Sequence, residues 1–258
     1  MRHEKRKNCL KNLFQYLNAA GVLRRSAHAD AYPFRQAVTV LRADDDSPGK
    51  HILEHLLAPA HFHQDKVALA GNPFQAHFPE SLRLSPSSLG LQLWKFVVVT
   101  NRELKARLRE VSWNQSQVED CSHYVVLCSR RDATRRDVDR YLAQIEFTRR
   151  PSAEKLASSA DFYTSYVEAL APEKMHAWLD CQVYIAVGFL LSAAAALRVD
   201  SCTIGGMDRA KYDEILGLDG TPYRSVVGVA LGYRAKDDAY AREAKVRFPA
   251  GEVIDIRA

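Results

Sequence analysis

The sequence predicts an α+β fold, and three observations carry that prediction. Segments 95–100, 123–129 and 223–233 have the length and the β-branched and aromatic content of buried strands. The stretches between them repeat their apolar residues at helical spacing, notably 102–110, 130–150 and 153–170. Finally, the apolar run 183–197 is 15 residues long, short of the roughly 20 needed to cross a bilayer. It lies in a longer helical stretch, 173–198, and predicts a buried core helix and no membrane span. With 258 residues, 47% of them hydrophobic, the chain can enclose one large domain or a domain with an appendage.

Taken in order, residues 1–20 place Leu10, Leu13, Phe14 and Leu17 at helical spacing, and Gly21 would end that helix. Residues 1–50 carry ten Lys and Arg against five Asp and Glu, whereas 51–258 carry 26 of each, so the net charge of +5 belongs to the first segment. Lacking interleaved aromatics, it reads as a solvated basic arm, and no nucleic-acid partner is expected. Residues 51–258 then form the main domain. His51 and His55 have a metal-ligand spacing, but no neighbouring carboxylate or cysteine completes a site, and no metal is expected.

From Glu80 the patterning sharpens. Asn101 is placed to cap a helix over 102–110, Pro151 ends the charged helix of 130–150, and Pro172 suits a helical first turn. A short strand over 200–204 leads to the Gly205-Gly206 turn. Asp208 then caps a helix over 209–216, closed by Gly217. In the polar tail from Arg234, Val253-Ile254 is expected to pair as an edge strand, on this chain or a partner. The five cysteines are odd in number, scattered and set among apolar residues, which predicts reduced core thiols. Met1–Lys11 is basic but no apolar run and small-residue cleavage site follow it. A cytoplasmic setting is expected.

The junction at 84–100 joins a polar, turn-prone loop, Ser85-Pro86-Ser87-Ser88-Leu89-Gly90, directly to an apolar strand. Pattern alone leaves it as either a loop entering the core or a ligand wall. The segment resembles the signature of the nitroreductase family of flavin-dependent oxidoreductases: Ser-Pro-Ser-Ser, two or three variable residues, Gln-Pro-Trp and a strand. Leu93 stands where the family has proline. Further matches follow in order. Asn114 and Gln117 resemble the polar pair aimed at the pyrimidine side of the flavin, the second often being lysine. Ile204, Gly205 and Gly206 resemble the Pro-Ile-Glu-Gly stretch whose backbone N–H groups reach flavin N5. Lys245 and Arg247 resemble the Lys-x-Arg used on the flavin phosphate.

The resemblance covers about 80–249 and implies a mixed, mainly antiparallel sheet flanked by helices, assembled as a homodimer with FMN at the subunit interface. It implies hydride transfer from NADH or NADPH, a transient visitor, through the flavin to a nitroaromatic, quinone or similar small-molecule acceptor. Pro86, Ser87 and Ser88 would be cofactor contacts. Phe162, Tyr163 and Tyr166 are candidates for the acceptor pocket, with core packing as the alternative; His123 and His176 are expected to be structural. The family's arginine-rich phosphate segment is not matched upstream, where only Lys66 in Phe62-His63-Gln64-Asp65-Lys66 corresponds. Lys245 and Arg247 would then supply most of the phosphate's countercharge. That gap suggests that part of 1–79 is divergent or read from a shifted frame, which sequencing the gene around codons 50–80 tests. It also keeps open a flavin-binding or scaffold homologue without turnover.

Overall fold

Four strands form the centre of a computed structural model that describes residues 77–257, all within the unit Glu54–Ala258. They are β1 (Trp94–Val99), β2 (His123–Arg130), β3 (Asp200–Ile204) and β4 (Tyr223–Gly232), in the order β1-β2-β4-β3. Every pairing is antiparallel, in agreement with the expected sheet. The expectations for residues 1–76, including the first helix, the His51–His55 pair and the shifted frame, lie outside the described residues.

Alternation along β2 explains why it is central. Val125 and Leu127 turn to one face and Tyr124, Val126 and Cys128 to the other, and all five are fully buried. The first face packs on the long helix α6 (Pro172–Ala196) through Val183, Ala186, Val187 and Leu190. The second is covered by α2 (Arg102–Glu110), α3 (Gln117–Asp120) and α7 (Arg209–Ile215), through Leu108, Val118 and Tyr212. Each such buried Leu or Val side chain contributes about 1.5–3 kcal/mol. Tyr124 also sets a limit on its neighbour, since a Cβ at Gly228 would collide with its hydroxyl. Burial pushes the Tyr124 phenol well above its usual value, and its hydroxyl joins those of Tyr212 (2.9 Å) and, through Tyr212, Ser112 (2.6 Å).

The expected caps are present. Asn101 Oδ1 accepts from the Leu104 N–H at 2.7 Å, and Asp208 Oδ1 accepts from the Lys211 N–H at 3.2 Å. Gly217 takes a left-handed φ of +64°. A bulge between Leu127 and Cys128 shifts the β2–β4 register, and beyond it the Ser225 N–H goes to Asp213 Oδ1 at 2.7 Å. Two further helices, α4 (Arg135–Arg149) and α5 (Ala153–Glu168), pack on each other and on the loop before β1.

Two expectations are corrected. Helix α6 is long and apolar enough to cross a membrane, and it packs against the sheet as the core helix. It is not buried on most faces, however. Tyr184, Ile185 and Phe189 are about two-fifths or more exposed, because none of the described elements lies over them. Likewise Val253-Ile254 forms no strand. Ala250–Val253 makes a single helical turn with the Ile254 N–H donating back to Ala250 O at 2.8 Å, and both side chains face solvent.

Candidate functional site

The loop before β1 is held in an unusual backbone. Leu89, Gly90 and Gln92 all have left-handed φ, at 56°, 71° and 52°; two of them carry side chains that disfavour it, so surrounding contacts must impose the shape. Those contacts are specific. The Ser88 N–H donates to Gln182 Oε1 at 2.7 Å, and Gln182 Nε2 is fixed in turn on Trp178 O at 3.0 Å. Ser87 Oγ accepts from the Gln92 N–H at 3.1 Å. A Cβ at Gly90 would collide with the Tyr141 hydroxyl. Pro86, Ser87 and Ser88 are half-buried, and the Ser88 hydroxyl has no hydrogen-bond partner among the described residues.

Tyr141 links this loop to the proposed acceptor pocket. Its ring lies 5.9 Å from that of Tyr163, which lies 5.9 Å from Phe162. Tyr163 belongs to the cluster that includes Leu89 and Leu91, and Tyr166 packs on Trp178 at 5.6 Å. Thus Tyr163 and Tyr166 pack inside the chain, while Phe162 remains 60% exposed.

A second group assembles at the end of β3. Ile204 is fully buried and delivers Gly205 and Gly206 to the surface. Three ties bind this turn to the α2–α3 connection. The Asp208 N–H donates to Val111 O at 2.9 Å, Gln115 Nε2 donates to Gly206 O at 3.3 Å, and the Trp113 ring lies where a Cβ on Gly206 would be. Trp113 and Asn114 are consecutive left-handed residues, at φ 51° and 54°, and Trp113 keeps 83% of its surface exposed. Asn114 Oδ1 accepts from Arg109 Nε at 2.9 Å, and Arg109 Nη1 pairs with Glu119 Oε2 at 3.0 Å. This orients the amide and leaves its NH2 as the outward donor. Gln117 opens α3 with its side chain half-buried. The structure therefore ties the connection that carries Asn114 to the Gly205-Gly206 turn.

It does not bring Lys245 and Arg247 to the 84–93 loop. Both lie in the exposed tail, and Arg247 Nη1 donates to Val246 O at 2.7 Å. Nor do the two assembled groups meet, since the 84–93 loop enters β1 at one edge of the sheet and Gly205-Gly206 leaves β3 at the other. Three strand spacings separate those edges by about 14 Å.

His123 and His176 are engaged structurally. His176 Nε2 lies 3.0 Å from Arg131 O, and His123 Nδ1 lies 2.6 Å from Ser122 Oγ. Burial, then the Lys105 ammonium, push the His123 imidazolium down to about 4. Burial also pushes the Cys121 and Cys128 thiols up to about 12, so neither offers a thiolate at neutral pH. No metal-holding cluster of His, Cys, Asp or Glu occurs among the described residues. Gln182, Gln115, Trp113 and Tyr141 were not singled out from sequence. A glutamine immediately before the apolar run of α6 was the one legible signal.

The sequence profile described as "Nitroreductase family" matches residues 39–233. A Staphylococcus epidermidis protein provisionally named an NAD(P)H nitroreductase is 36% identical over 185 residues, covering 68% of this chain and 82% of that protein. The Bacillus subtilis protein YfkO, provisionally named likewise, is 37% identical over 175 residues, covering 61% and 76%. Among solved structures, a nitroreductase-like protein from Streptococcus mutans superposes with a TM-score of 0.70 at 19% identity, covering 81% of this chain and 98% of its own. A provisionally named nitroreductase from Exiguobacterium sibiricum, solved in complex with FMN, gives 0.68 at 20% identity, covering 85% and 100%.

Proposed function

The chain belongs to the nitroreductase family, and from that premise we propose that it is an FMN-dependent oxidoreductase passing hydride from NAD(P)H to a nitroaromatic, quinone or similar acceptor. The observation that carries the reading is the donor set at the end of β3. Among the described residues the Gly205 and Gly206 N–H groups have no partner, and Asn114, its Oδ1 held by Arg109, lies on the connection tied to them. Such donors suit the carbonyl and ring-nitrogen edge of an isoalloxazine. FMN, when bound, would supply the centre that accepts and then gives up hydride.

The chain's own residues would bind and orient. The Gly205-Gly206 turn, fixed through Gln115 and Asp208, would hold the reactive edge in place, and Asn114 would donate to the pyrimidine side. Gln117 would add a hydrogen bond without positive charge, giving less electrostatic stabilisation of a reduced, anionic ring than the family's lysine. Ser87 and Ser88 would present hydroxyls, and Lys245 and Arg247 would meet the phosphate. Trp113 would exclude water from the ring face.

Because the two donor groups sit at opposite edges of one sheet, we infer a homodimer in which each site draws the Ser87-Ser88 loop from one copy and the Gly205-Gly206 turn from the other. The uncovered apolar face of α6 and the tail residues Val246, Phe248 and Ile256, more than three-quarters exposed, support it. A cytoplasmic setting belongs to the same reading. The test is the absorbance of the purified protein from about 350 to 500 nm, where oxidised flavin carries its own spectrum. A yellow protein bleached by NADH or NADPH without oxygen is expected; a colourless protein that also fails to bind added FMN overturns the reading.

A further inference from the structure

A second concentration of charge lies apart from both donor groups. A cleft of about 700 Å3 is lined by Arg130 at the end of β2, by Arg136, Asp137 and Arg140 on α4, and by the turn 220–222 ahead of β4. The one acidic group is already committed. Asp137 Oδ2 takes Arg130 Nη2 at 3.0 Å, the Thr134 N–H at 3.0 Å and the Thr134 hydroxyl at 2.9 Å, closing the capping box of α4. Arg136 and Arg140, by contrast, have neither a hydrogen bond nor an ion pair among the described residues. Their neighbour Arg135 is different, pairing with Asp139 at 2.8 Å. Four residues apart on one helix, Arg136 and Arg140 emerge on the same face about 5–6 Å apart.

Two like charges held side by side on a helix repel one another unless an anion lies between them. The opposite wall does not supply one. Gly220 sits at a left-handed φ of +73° with open space where a Cβ would be, and its N–H has no partner among the described residues. The Thr221 hydroxyl donates to Leu218 O at 2.7 Å. The cleft therefore offers two guanidinium forks and a backbone N–H, with volume for far more than one ion. Paired arginines match the oxygens of phosphate in two-pronged fashion.

We propose that this cleft binds the phosphate group of a small organic molecule, held between Arg136 and Arg140. The assignment does not rest on the oxidoreductase reading, since it stands on these residues alone.

Calorimetric titration of the full chain as purified tests it with two probes, and the arginine variants separate this cleft from any flavin site. Inorganic pyrophosphate presents the anion alone, and adenosine 2′,5′-bisphosphate presents it on a nucleoside. At least one is expected to bind, more weakly as salt rises, and Arg136→Ala/Arg140→Ala should weaken it at least tenfold. Arg136→Lys/Arg140→Lys should restore part of the affinity, keeping the charge and losing the forks. Equal binding of both probes assigns the site to the bare anion; tighter binding of the bisphosphate assigns it to a phosphorylated nucleotide. Both arginines are exposed, so the variants should melt as the parent does. Failure of the parent to bind either probe, or retention of binding by the melting-competent alanine variant, overturns the proposal.

Discussion

A methyl group on Gly206 would enter the Trp113 indole, so each residue constrains the other. Gly206→Ala should displace the ring or the turn at a cost of about 1–3 kcal/mol. On the proposed function it should weaken FMN binding about tenfold or more and shift the indole emission; unchanged flavin affinity and emission would show that the contact is idle. Gln182 is a second such residue. Gln182→Leu keeps the bulk but strips the Ser88 N–H of its acceptor, and urea unfolding should show a loss of about 1–3 kcal/mol. His123 gives a pH dependence. Its folded pKa, about 4, lies below the usual 6.5, so the unfolded chain binds the proton more readily. Its contribution is complete above about pH 6.5 and is lost as pH falls towards 4, at no more than about 1.4 kcal/mol per pH unit. In His123→Gln, the thermal midpoint should fall less steeply than in the parent across that window.

Elements were legible in the sequence where their signals are local. Asn101 and Asp208 are caps because a short polar side chain reaches an N–H three residues on, and strand β2 declared itself by apolar content. What escaped was set by partners distant in the chain. The acceptor for Ser88 lies 94 residues away, the Ser112–Tyr212–Tyr124 hydroxyl chain joins the turn after α2 to helix α7 and strand β2, and the outer face of α6 looks like core although no described element covers it. The same applies to Asp180 on α6. It pairs with Arg224 at 2.6 Å and Arg209 at 3.2 Å and accepts from Ser129 Oγ at 3.0 Å, joining α6, α7, β2 and β4. Removing it leaves a half-buried Arg224 guanidinium without its carboxylate. Asp180→Ala should therefore lower stability by about 1–3 kcal/mol, less than for a fully buried pair because water screens it; a change within 0.5 kcal/mol in denaturant melts would show the network to be dispensable.

For the whole molecule, the site motifs were legible individually and their geometry was not. Ser87-Ser88 and Gly205-Gly206 each match a family pattern, but no sequence spacing reveals that they leave opposite edges of one sheet. The tail is read the same way: Lys245 and Arg247 stand out by type, whereas their exposure beside Val246 and Phe248 appears only in three dimensions. Ending the chain after Tyr233 should leave the four-stranded sheet folded while shifting sedimentation from dimer to monomer and abolishing FMN retention. A truncated chain that stays dimeric and yellow would remove the tail from both roles.

The opposite-edge placement also has a genetic consequence. If each site takes one edge from each copy, a chain crippled at Ser88 and a chain crippled at Gly206 are both inactive alone. Mixed in one cell, they pair so that one site collects both lesions and the other collects neither. Two dead alleles would then complement each other, and the recovered activity would travel only with the mixed dimer through separation on two different affinity tags.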